Sequence, residues 1–259
     1  MGLLGGLFKK AKHKGYFEIE ISSISRLTKN AVKVSFDIPD KLAEKFHYIP
    51  GQYINILAEI EGKEERRSYS ICSAKGEKLA IGIKSIENGI VSNWFNHEAK
   101  EGTKLFISQP QGNFKVPKGA KNIANIAAGS GVTPILSILK SNSNAEGMQL
   151  LYGNRSKDET MFLEEIKEMN NIRTSFFFDS NQDENAISGR IDKENLVKFI
   201  KSDLDFLKND AFLICGPEEM ILGCIEALEF FGVAKHKIIY ELFTTPITLG
   251  VEAKEDSYS

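Results

Sequence analysis

The hydrophobic pattern of the chain changes once, near residues 115–121, and this change limits the possible folds more than any other feature. From Tyr16 to about Lys115, apolar and polar residues alternate in short runs. The clearest runs are 17–22, 32–36 and 79–83. Alternation with a period of two is typical of strands with one buried face, and the turns between them indicate an antiparallel sheet. We expect this half to close into a small Greek-key β-barrel, interrupted by one helix near 92–99.

After residue 121 the pattern becomes an apolar strand followed by a helix, repeated to the end of the patterned region. Strands are expected at 122–127, 149–153, 172–178, 211–215 and 237–242, and helices at 133–140, 158–169, 192–201 and 217–231. Strands that alternate with helices predict a parallel, doubly wound sheet with right-handed crossovers. The chain of 259 residues is long enough for two domains. The predicted divisions are an extension at 1–15, a barrel domain at 16–117, an α/β domain at 118–243 and a tail at 244–259.

Charge and cysteine content narrow the partners and the compartment. Lysine plus arginine number 33 against 35 aspartate plus glutamate, so the net charge of −2 gives no reason to expect nucleic acid or an anionic membrane. A small-molecule ligand fits better. The cysteines Cys72, Cys215 and Cys224 are widely spaced and odd in number, which argues against a disulfide framework and favours the cytoplasm. The apolar start is too short for a secretory signal, and no stretch predicts integral membrane contact.

A glycine-rich turn lies within residues 124–134, where an apolar strand meets a helix. In an open parallel sheet, ligands bind at the carboxyl ends of strands, and a helix that begins there offers free N–H groups to a phosphate. Glycine lets the backbone approach a pyrophosphate closely, and Thr133 can cap the helix or hydrogen-bond. The spacing is not the GlyXGlyXXGly fingerprint of dinucleotide sites. An open alternative is therefore that Gly129 and Gly131 only supply a positive φ at a tight corner.

Two further strand ends repeat the theme, at residues 152–155 and 215–217. Each carries a glycine where a helix or a ligand would come close. Arg155 has the planar guanidinium that pairs bidentately with a phosphate, although an ion pair with the acidic residues that follow it is an alternative. Cys215 is more often a small buried hydrophobe than a reactive group. Three small-residue strand ends on one sheet predict a ligand site at that edge.

The motif Arg67-Ser68-Tyr69-Ser70 resembles the flavin signature of the ferredoxin–NADP reductase superfamily, as do the runs at 50–53 and 89–92. The resemblance implies that the arginine holds the FAD pyrophosphate, the tyrosine packs on the isoalloxazine ring and the last serine lies near flavin N5. The chemistry agrees, because a flat apolar ring favours aromatic contact and a diphosphate favours arginine and a helix N-terminus. The flavin-site residues implied are Gln52, Tyr53, Arg67, Ser68, Tyr69, Ser70, Ile83, Lys84, Gly89, Val91 and Ser92.

The same resemblance assigns a pyridine-nucleotide site to the second domain. It implies the pyrophosphate at the glycine-rich turn, the adenosine at the end of the next strand and the nicotinamide near Cys215. The residues implied are Gly129, Ser130, Gly131, Thr133, Arg155, Ser156, Cys215, Gly216 and Pro217. It further implies an acidic residue, Glu241, at the flavin edge, and an aromatic ring, Phe243, that must move before nicotinamide lies on the flavin. An exposed glutamate and one buried aromatic on a last strand is the plain structural alternative.

The resemblance implies an FAD-dependent NAD(P)H oxidoreductase in which Ser70, Cys215, Glu241 and Phe243 form the reacting edge. Hydride would pass from NADPH to FAD, and single electrons would pass on to an iron–sulfur carrier or an oxygenase component. NADP(H) is expected over NAD(H) because Arg155 and Ser156 resemble residues that receive the 2′-phosphate. A stand-alone NAD(P)H:flavin, quinone, ferredoxin or flavodoxin reductase is the alternative enzyme. A non-catalytic flavin-binding module is the alternative outside enzymology.

Within the superfamily, residues 152–156 and 240–243 most resemble reductase components of ring-hydroxylating systems, including the phenylacetyl-CoA epoxidase type used in phenylacetate degradation. Those components normally continue into a plant-type ferredoxin domain with a [2Fe–2S] cluster. The three cysteines here do not have the CysX4CysX2Cys spacing of such a cluster, so neither a [2Fe–2S] cluster nor another metal is predicted in this chain. The chain is expected to be either a fragment cut in the interdomain linker or a stand-alone reductase.

Overall fold

The computed structural model describes residues 13–142, 146–180 and 184–243. Residues 1–12 of the expected extension and all of the expected tail at 244–259 lie outside the described residues. Within the described residues, the first half of the chain forms six strands, one α-helix and a 3-10 helix at Asp40–Phe46. The strands are β1 Tyr16–Thr28, β2 Ala31–Asp37, β3 Tyr53–Ile60, β4 Lys63–Ser70, β5 Ala80–Lys84 and β6 Lys104–Ser108, and the helix is α1 Ile90–His97.

The first six strands form an antiparallel sheet in the order β4-β3-β6-β1-β2-β5. The sheet curls until its two edges approach, since Ile71 and Ile81 form an isolated bridge and the Cys72 N–H donates to the Ala80 carbonyl at 2.9 Å. The expected antiparallel barrel is thus confirmed. Its interior is filled by the apolar residues that alternate along the strands, among them Ile19, Ile21, Val32, Val34, Ile54 and Ile56.

The second half forms a parallel sheet in the order β10-β9-β8-β7-β11-β12, as the repeated strand–helix pattern predicts. Its strands are β7 Asn122–Ala128, β8 Gly147–Asn154, β9 Ile172–Phe178, β10 Ile187–Ser188, β11 Ala211–Gly216 and β12 Ile238–Leu242. Its helices are α2 Val132–Ser141, α3 Leu163–Lys167, α4 Lys193–Ser202 and α5 Glu218–Phe230. Because strand order reverses at β7, the carboxyl ends of β7, β8 and β11 lie side by side at one edge.

The prediction of one continuous helix at 158–169 is wrong. The structure has a 3-10 turn at Lys157–Glu159 and the short helix α3, separated by Phe162 with a left-handed φ of 58°. Phe162 and its neighbour Met161 are buried, and both side chains pack against Gly82 of β5. Docking of these side chains into the barrel overrides the local helical pattern, because tertiary contacts routinely outweigh helix propensity.

Helix α2 makes polar contacts between the two halves. The Ser137 hydroxyl donates to the Ser73 carbonyl at 2.7 Å, and both residues are buried. The Lys140 ammonium lies 2.7 Å from carboxylates of both halves, Glu77 of the barrel half and Glu165 of α3. These contacts fix the walls of the space between the halves. Within the described ranges, no helix is long and apolar enough to cross a membrane.

Candidate functional site

A cavity of about 490 Å³ lies between the two halves, and we call it the interdomain cavity. One wall comes from β4, β5 and the start of α1, and the other comes from the glycine-rich turn and the end of β12. The structure therefore brings most of the predicted flavin-site residues together with the end of the last strand. The lining residues are Tyr53, Arg67, Ser68, Tyr69, Ser70, Gly82, Lys84, Ile86, Gly89, Val91, Ser92, Ser130, Thr133, Glu241, Leu242 and Phe243.

Strand β4 supplies an aromatic surface and a cation to this cavity. The Tyr69 ring packs edge-on against Phe95, with ring centroids 6.0 Å apart, and burial raises the pKa of its hydroxyl far above the ordinary value. The Ser68 hydroxyl donates to Asn55 Oδ1 at 2.7 Å. The half-exposed Arg67 guanidinium lies 3.3 Å from the Glu65 carboxylate. A fixed apolar ring beside an accessible guanidinium suits a ligand with a flat ring and an anionic tail.

Helix α1 begins at the cavity, and its start is shaped by Gly89. A Cβ at this position would lie 2.4 Å from both Ile86 Cγ1 and Ser92 Oγ, so no larger residue fits without movement. The Ser92 hydroxyl donates to the Gly89 carbonyl at 3.2 Å. The first N–H groups of a helix have no intrahelical acceptor, and the macrodipole makes this end positive. The start of α1 is therefore suited to phosphate oxygens.

Glu241 connects the two halves within the interdomain cavity. The Ser70 hydroxyl donates to Glu241 Oε2 at 3.4 Å. Burial raises the pKa of Glu241 to about 7, and the hydrogen bond from Ser70 lowers it only in part. Phe243 lines the same cavity and is 45% exposed. A carboxyl group with a pKa raised to about 7 and a half-exposed aromatic ring thus lie at one site.

The glycine-rich turn needs its two glycines for different reasons. Gly129 has a φ of +53°, and its carbonyl accepts a hydrogen bond from the Tyr152 hydroxyl at 3.0 Å. Gly131 has an ordinary helical φ of −60°, but a Cβ there would lie 2.1 Å from the Cys215 carbonyl oxygen. Positive φ therefore explains Gly129 alone. Gly131 permits the close approach of α2 to the end of β11.

A second cavity of about 330 Å³ lies where β7, β8 and β11 end, and we call it the strand-end cavity. The three small-residue strand ends meet there, as expected from the order of the strands. Lys84 lines this cavity as well as the interdomain cavity. The lining residues are Lys84, Ala128, Gly129, Gly153, Asn154, Arg155, Asp179, Arg190, Ile191, Asp192, Pro217, Glu219 and Met220.

Several residues predicted for the site lie outside both cavities. Gln52 hydrogen-bonds the backbone at Gly112 and Ile49, and Ile83 is fully buried in the barrel. Cys215 is also fully buried, and desolvation raises the pKa of its thiol well above the ordinary value. Ser156 lines a separate cavity of about 390 Å³. Gly131 and Gly216 are buried packing positions, the second against Met220.

The sequence prediction omitted other residues that line the cavities. Gly82 interrupts a strand, which is a recognised signal of close approach, and a Cβ there would lie 2.7 Å from Thr133 Cγ2. Asp179 directly follows a predicted strand and accepts a 2.9 Å hydrogen bond from Arg190 Nε. Ile86 and Leu242 carried no comparable signal. Apolar residues near a cavity mouth resemble ordinary core residues in a single sequence.

The donor set fits a flavin dinucleotide. The interdomain cavity offers the Tyr53 and Tyr69 rings to a flat heterocycle, and it offers Arg67 and the start of α1 to phosphates. Gly89 leaves open the space that a side chain would fill. The strand-end cavity, which shares Lys84 with the interdomain cavity, adds Arg155 and the glycine-rich turn for another anionic ligand.

Comparison with known families agrees with this fit. Residues 18–116 match the family model described as "Oxidoreductase FAD-binding domain". Residues 126–225 match the model described as "Oxidoreductase NAD-binding domain". The two matched ranges correspond to the barrel and to the parallel sheet. The chain therefore binds FAD and a pyridine nucleotide.

Similar proteins carry both domains. The chain is 32% identical over 247 residues to one subunit of the 1,2-phenylacetyl-CoA epoxidase of Escherichia coli (strain K12), covering 90% of this chain and 69% of that protein. It is 28% identical over 243 residues to the ferredoxin reductase component of 3-ketosteroid-9-alpha-monooxygenase of Mycobacterium tuberculosis (strain ATCC 25618 / H37Rv), covering 87% of this chain and 65% of that protein. The chain thus spans only about two thirds of these relatives.

A solved structure shows the same fold. The ferredoxin NADP+ reductase of Neisseria gonorrhoeae, determined with bound FAD and NADP, superposes with a TM-score of 0.75 at 19% identity. The alignment covers 89% of this chain and 99% of that chain. The two domains, the cavity between them and the identity shared with the epoxidase component lead to one assignment: the chain belongs to the ferredoxin reductase family of FAD-dependent, NAD(P)H-dependent oxidoreductases.

Proposed function

We propose that this reductase takes hydride from NADPH onto FAD in the interdomain cavity and passes single electrons to an iron–sulfur carrier or an oxygenase component. The observation that carries the proposal is the meeting of Ser70 from the barrel with Glu241 from the parallel sheet, 3.4 Å apart in one cavity. Bound FAD supplies the chemistry, since it accepts two electrons from a nicotinamide and releases them one at a time. The protein contributes position and electrostatics.

We assign the flavin to residues 16–117 and the pyridine nucleotide to residues 118–243. Arg67 and the start of α1 would hold the FAD diphosphate, and Tyr69 would pack on the ring system. Ser70 would lie at the reacting edge with Glu241. Phe243, half-exposed at the mouth, would move aside when nicotinamide enters. Cys215 would act through its backbone at the α2 contact, because its thiol is fully buried.

The pyridine nucleotide would lie across both cavities, with its diphosphate beside the glycine-rich turn. Arg155 would favour NADP over NAD, since a guanidinium pairs well with a 2′-phosphate. Asp179 lines the same cavity, but its carboxylate is already paired with Arg190 at 2.9 Å. Steady-state kcat/KM for NADPH is expected to exceed that for NADH, and a strong NADH preference would overturn the assignment to NADP.

The proposed acceptor follows from the relatives. One is a component of an epoxidase and another is the ferredoxin reductase component of a monooxygenase. An oxygenase system is therefore the class of partner that we propose, with phenylacetate-type degradation resting on the 32% identical epoxidase component alone. All three cysteines are free thiols, which suits a reducing compartment, and we propose a cytoplasmic location.

The proposal is tested by anaerobic titration of the FAD-loaded chain with NADPH, followed in the visible spectrum. Bleaching of the flavin bands is expected. Bound FAD that neither NADPH nor NADH reduces would favour a non-catalytic module. FAD that is lost during purification would favour a reductase of free flavins. A chain that takes up no flavin would overturn the proposal.

Arg67→Ala is expected to weaken FAD binding about tenfold, the lower end of the range for a lost charge-assisted hydrogen bond, because Arg67 is half-exposed. Fluorescence titration of flavin-free protein with FAD measures the change. Arg66→Ala is the matched control: Arg66 directly precedes Arg67 in β4, on the opposite face, and its guanidinium lies 5.9 Å from the Tyr16 ring centroid. Equal FAD affinity of the two variants would contradict the role of Arg67.

A further inference from the structure

An ion pair connects the two halves of the molecule beside the two cavities. The Lys84 ammonium, at the end of β5, lies 3.3 Å from Glu159 Oε2 in the other half of the molecule. The Lys84 side chain is 24% exposed and the Glu159 side chain is 33% exposed. Lys84 lines both cavities, whereas Glu159 lines neither the interdomain nor the strand-end cavity. The pair thus consists of a cation that lines the cavities and a carboxylate that contacts this cation from outside them.

Glu159 is held in place by its neighbours. It ends a 3-10 turn, and the next residue, Thr160, is buried and donates its hydroxyl hydrogen bond to the Ser156 carbonyl at 3.0 Å. Met161 and Phe162 then pack against Gly82, two residues before Lys84 on the same strand. The backbone segments that carry Lys84 and Glu159 are therefore held at the same contact between the halves.

Because Lys84 lines both cavities, a ligand that extends from one to the other is expected to pass near its ammonium group. Gly129 lines the strand-end cavity and the adjacent Ser130 lines the interdomain cavity, so the glycine-rich turn lies at the same junction. A pyridine dinucleotide with nicotinamide in one cavity and adenosine in the other has its diphosphate between them. This placement of the nucleotide rests on the proposed function. In it, the diphosphate lies beside Lys84, whose charge Glu159 already neutralises.

We propose that Glu159 sets the affinity for the pyridine nucleotide by competing with its diphosphate for Lys84. When the nucleotide enters, the Lys84 ammonium either leaves the Glu159 carboxylate for the phosphate oxygens or contacts both. The Glu159 charge then repels the phosphates at short range. Nucleotide binding is therefore weaker than it would be without the Glu159 carboxylate. The oxidised nucleotide also dissociates faster after each turnover. Glu159 is accordingly a positioning and affinity-setting residue that does not touch the reacting atoms.

The test is calorimetric titration of the oxidised, FAD-loaded protein with NADP+ and with NAD+. Glu159→Gln is expected to tighten binding of both nucleotides about fivefold, the effect of one partly exposed ion pair. Its binding is also expected to weaken more steeply with added salt, because the site gains one net positive charge. Glu164→Gln is the matched control, since Glu164 is in the same segment, pairs with Lys167 at 3.4 Å and is 78% exposed.

A double variant separates competition from a general structural effect. Lys84→Met alone is expected to weaken nucleotide binding about tenfold. In the Lys84→Met background, Glu159→Gln is expected to lose most of its effect, because the shared cation is gone. Unchanged or weaker nucleotide binding by Glu159→Gln, with the wild type binding normally, would overturn this inference and leave the proposed function intact. A wild type that binds neither nucleotide would overturn both.

Discussion

Gly131→Ala is expected to abolish measurable pyridine-nucleotide binding and to lower the free energy of unfolding by about 3 kcal/mol. The added Cβ would lie 2.1 Å from the Cys215 carbonyl oxygen and 2.8 Å from the Gly216 nitrogen. These are backbone atoms of β11 and cannot rotate away, so α2 must move from the sheet. That movement displaces the turn at which we place the nucleotide diphosphate, and it leaves a poorly packed contact in the core.

Thermal or chemical denaturation and calorimetry with NADP+ measure the two effects. Gly147→Ala is the matched control, because the added Cβ would meet only the Asn122 side chain, with its oxygen at 2.8 Å, and a side chain can move. Its stability is expected to change by less than about 1 kcal/mol. FAD affinity of Gly131→Ala is expected to stay within about twofold of wild type, since the proposed phosphate contacts at Arg67 and α1 are in the barrel half. Wild-type NADP+ affinity in Gly131→Ala would contradict the structural argument.

Gly129 provides a contrast within the same turn. Its φ of +53° is in the left-handed region, and no atom lies within 4 Å of an added Cβ. An alanine there is expected to be strained by about 1 kcal/mol without a clash. The two glycines are indistinguishable in the sequence, where both mark a tight corner. They differ because β11 lies beside the turn, as the pairing of Cys215 with Ala127 shows. Strand β11 is more than eighty residues away along the chain, so the sequence near the turn does not reveal this contact.

The fold was predictable from the sequence because it depends on local periodicity. Alternation produces the curled antiparallel sheet, and strand–helix repetition produces the parallel one. The failure at 158–169 has the opposite cause. Met161 and Phe162 have a helix-compatible pattern, but they are buried against Gly82 of the barrel, and that contact stops the helix. Contacts between distant segments leave no periodic signal in either partner.

The candidate site divides along the same line. Residues on strands, such as Arg67 and Tyr69, were predicted to lie near one ligand, and they line one cavity. The Lys84–Glu159 pair was not predicted, because it joins two segments whose approach depends on the packing of α2 and Phe162. Cys215 follows the motif order in the sequence, yet its thiol is fully buried and only its backbone reaches the turn. The sequence indicates which residues are near a site, whereas side-chain direction depends on packing.

Glu241→Gln is expected to slow reduction of bound FAD by NADPH about a hundredfold at pH 8, with FAD affinity little changed. Nicotinamide gains positive charge as it loses hydride, and an ionised carboxylate in the same cavity stabilises that charge. The amide has no charge to offer. Anaerobic stopped-flow absorbance measures the rate, and traces identical to wild type would contradict the assignment of Glu241 to the reacting edge.

The pH dependence gives this variant a second, independent signature. Because burial raises the pKa of Glu241 from 4.5 to about 7, the wild-type rate is expected to rise as pH passes through 7, and the variant is expected to lack that rise. Stability changes in the opposite sense. A carboxyl group with a raised folded-state pKa stabilises fully below its unfolded value, and that contribution is lost as pH rises through about 7.

Without FAD, Glu241→Gln is therefore expected to be more stable than wild type at pH 8 by about 1–3 kcal/mol, and to lose that advantage at pH 5. Ser70→Ala is the comparison variant, because it removes the hydroxyl that donates to Glu241 and leaves the buried carboxyl in place. It is expected to shift the inflection of the rate upward in pH, since the lost hydrogen bond stabilised the ionised form. A glutamine variant that is slower yet more stable at pH 8 would show that this carboxylate is kept in the cavity for turnover at the expense of folding stability.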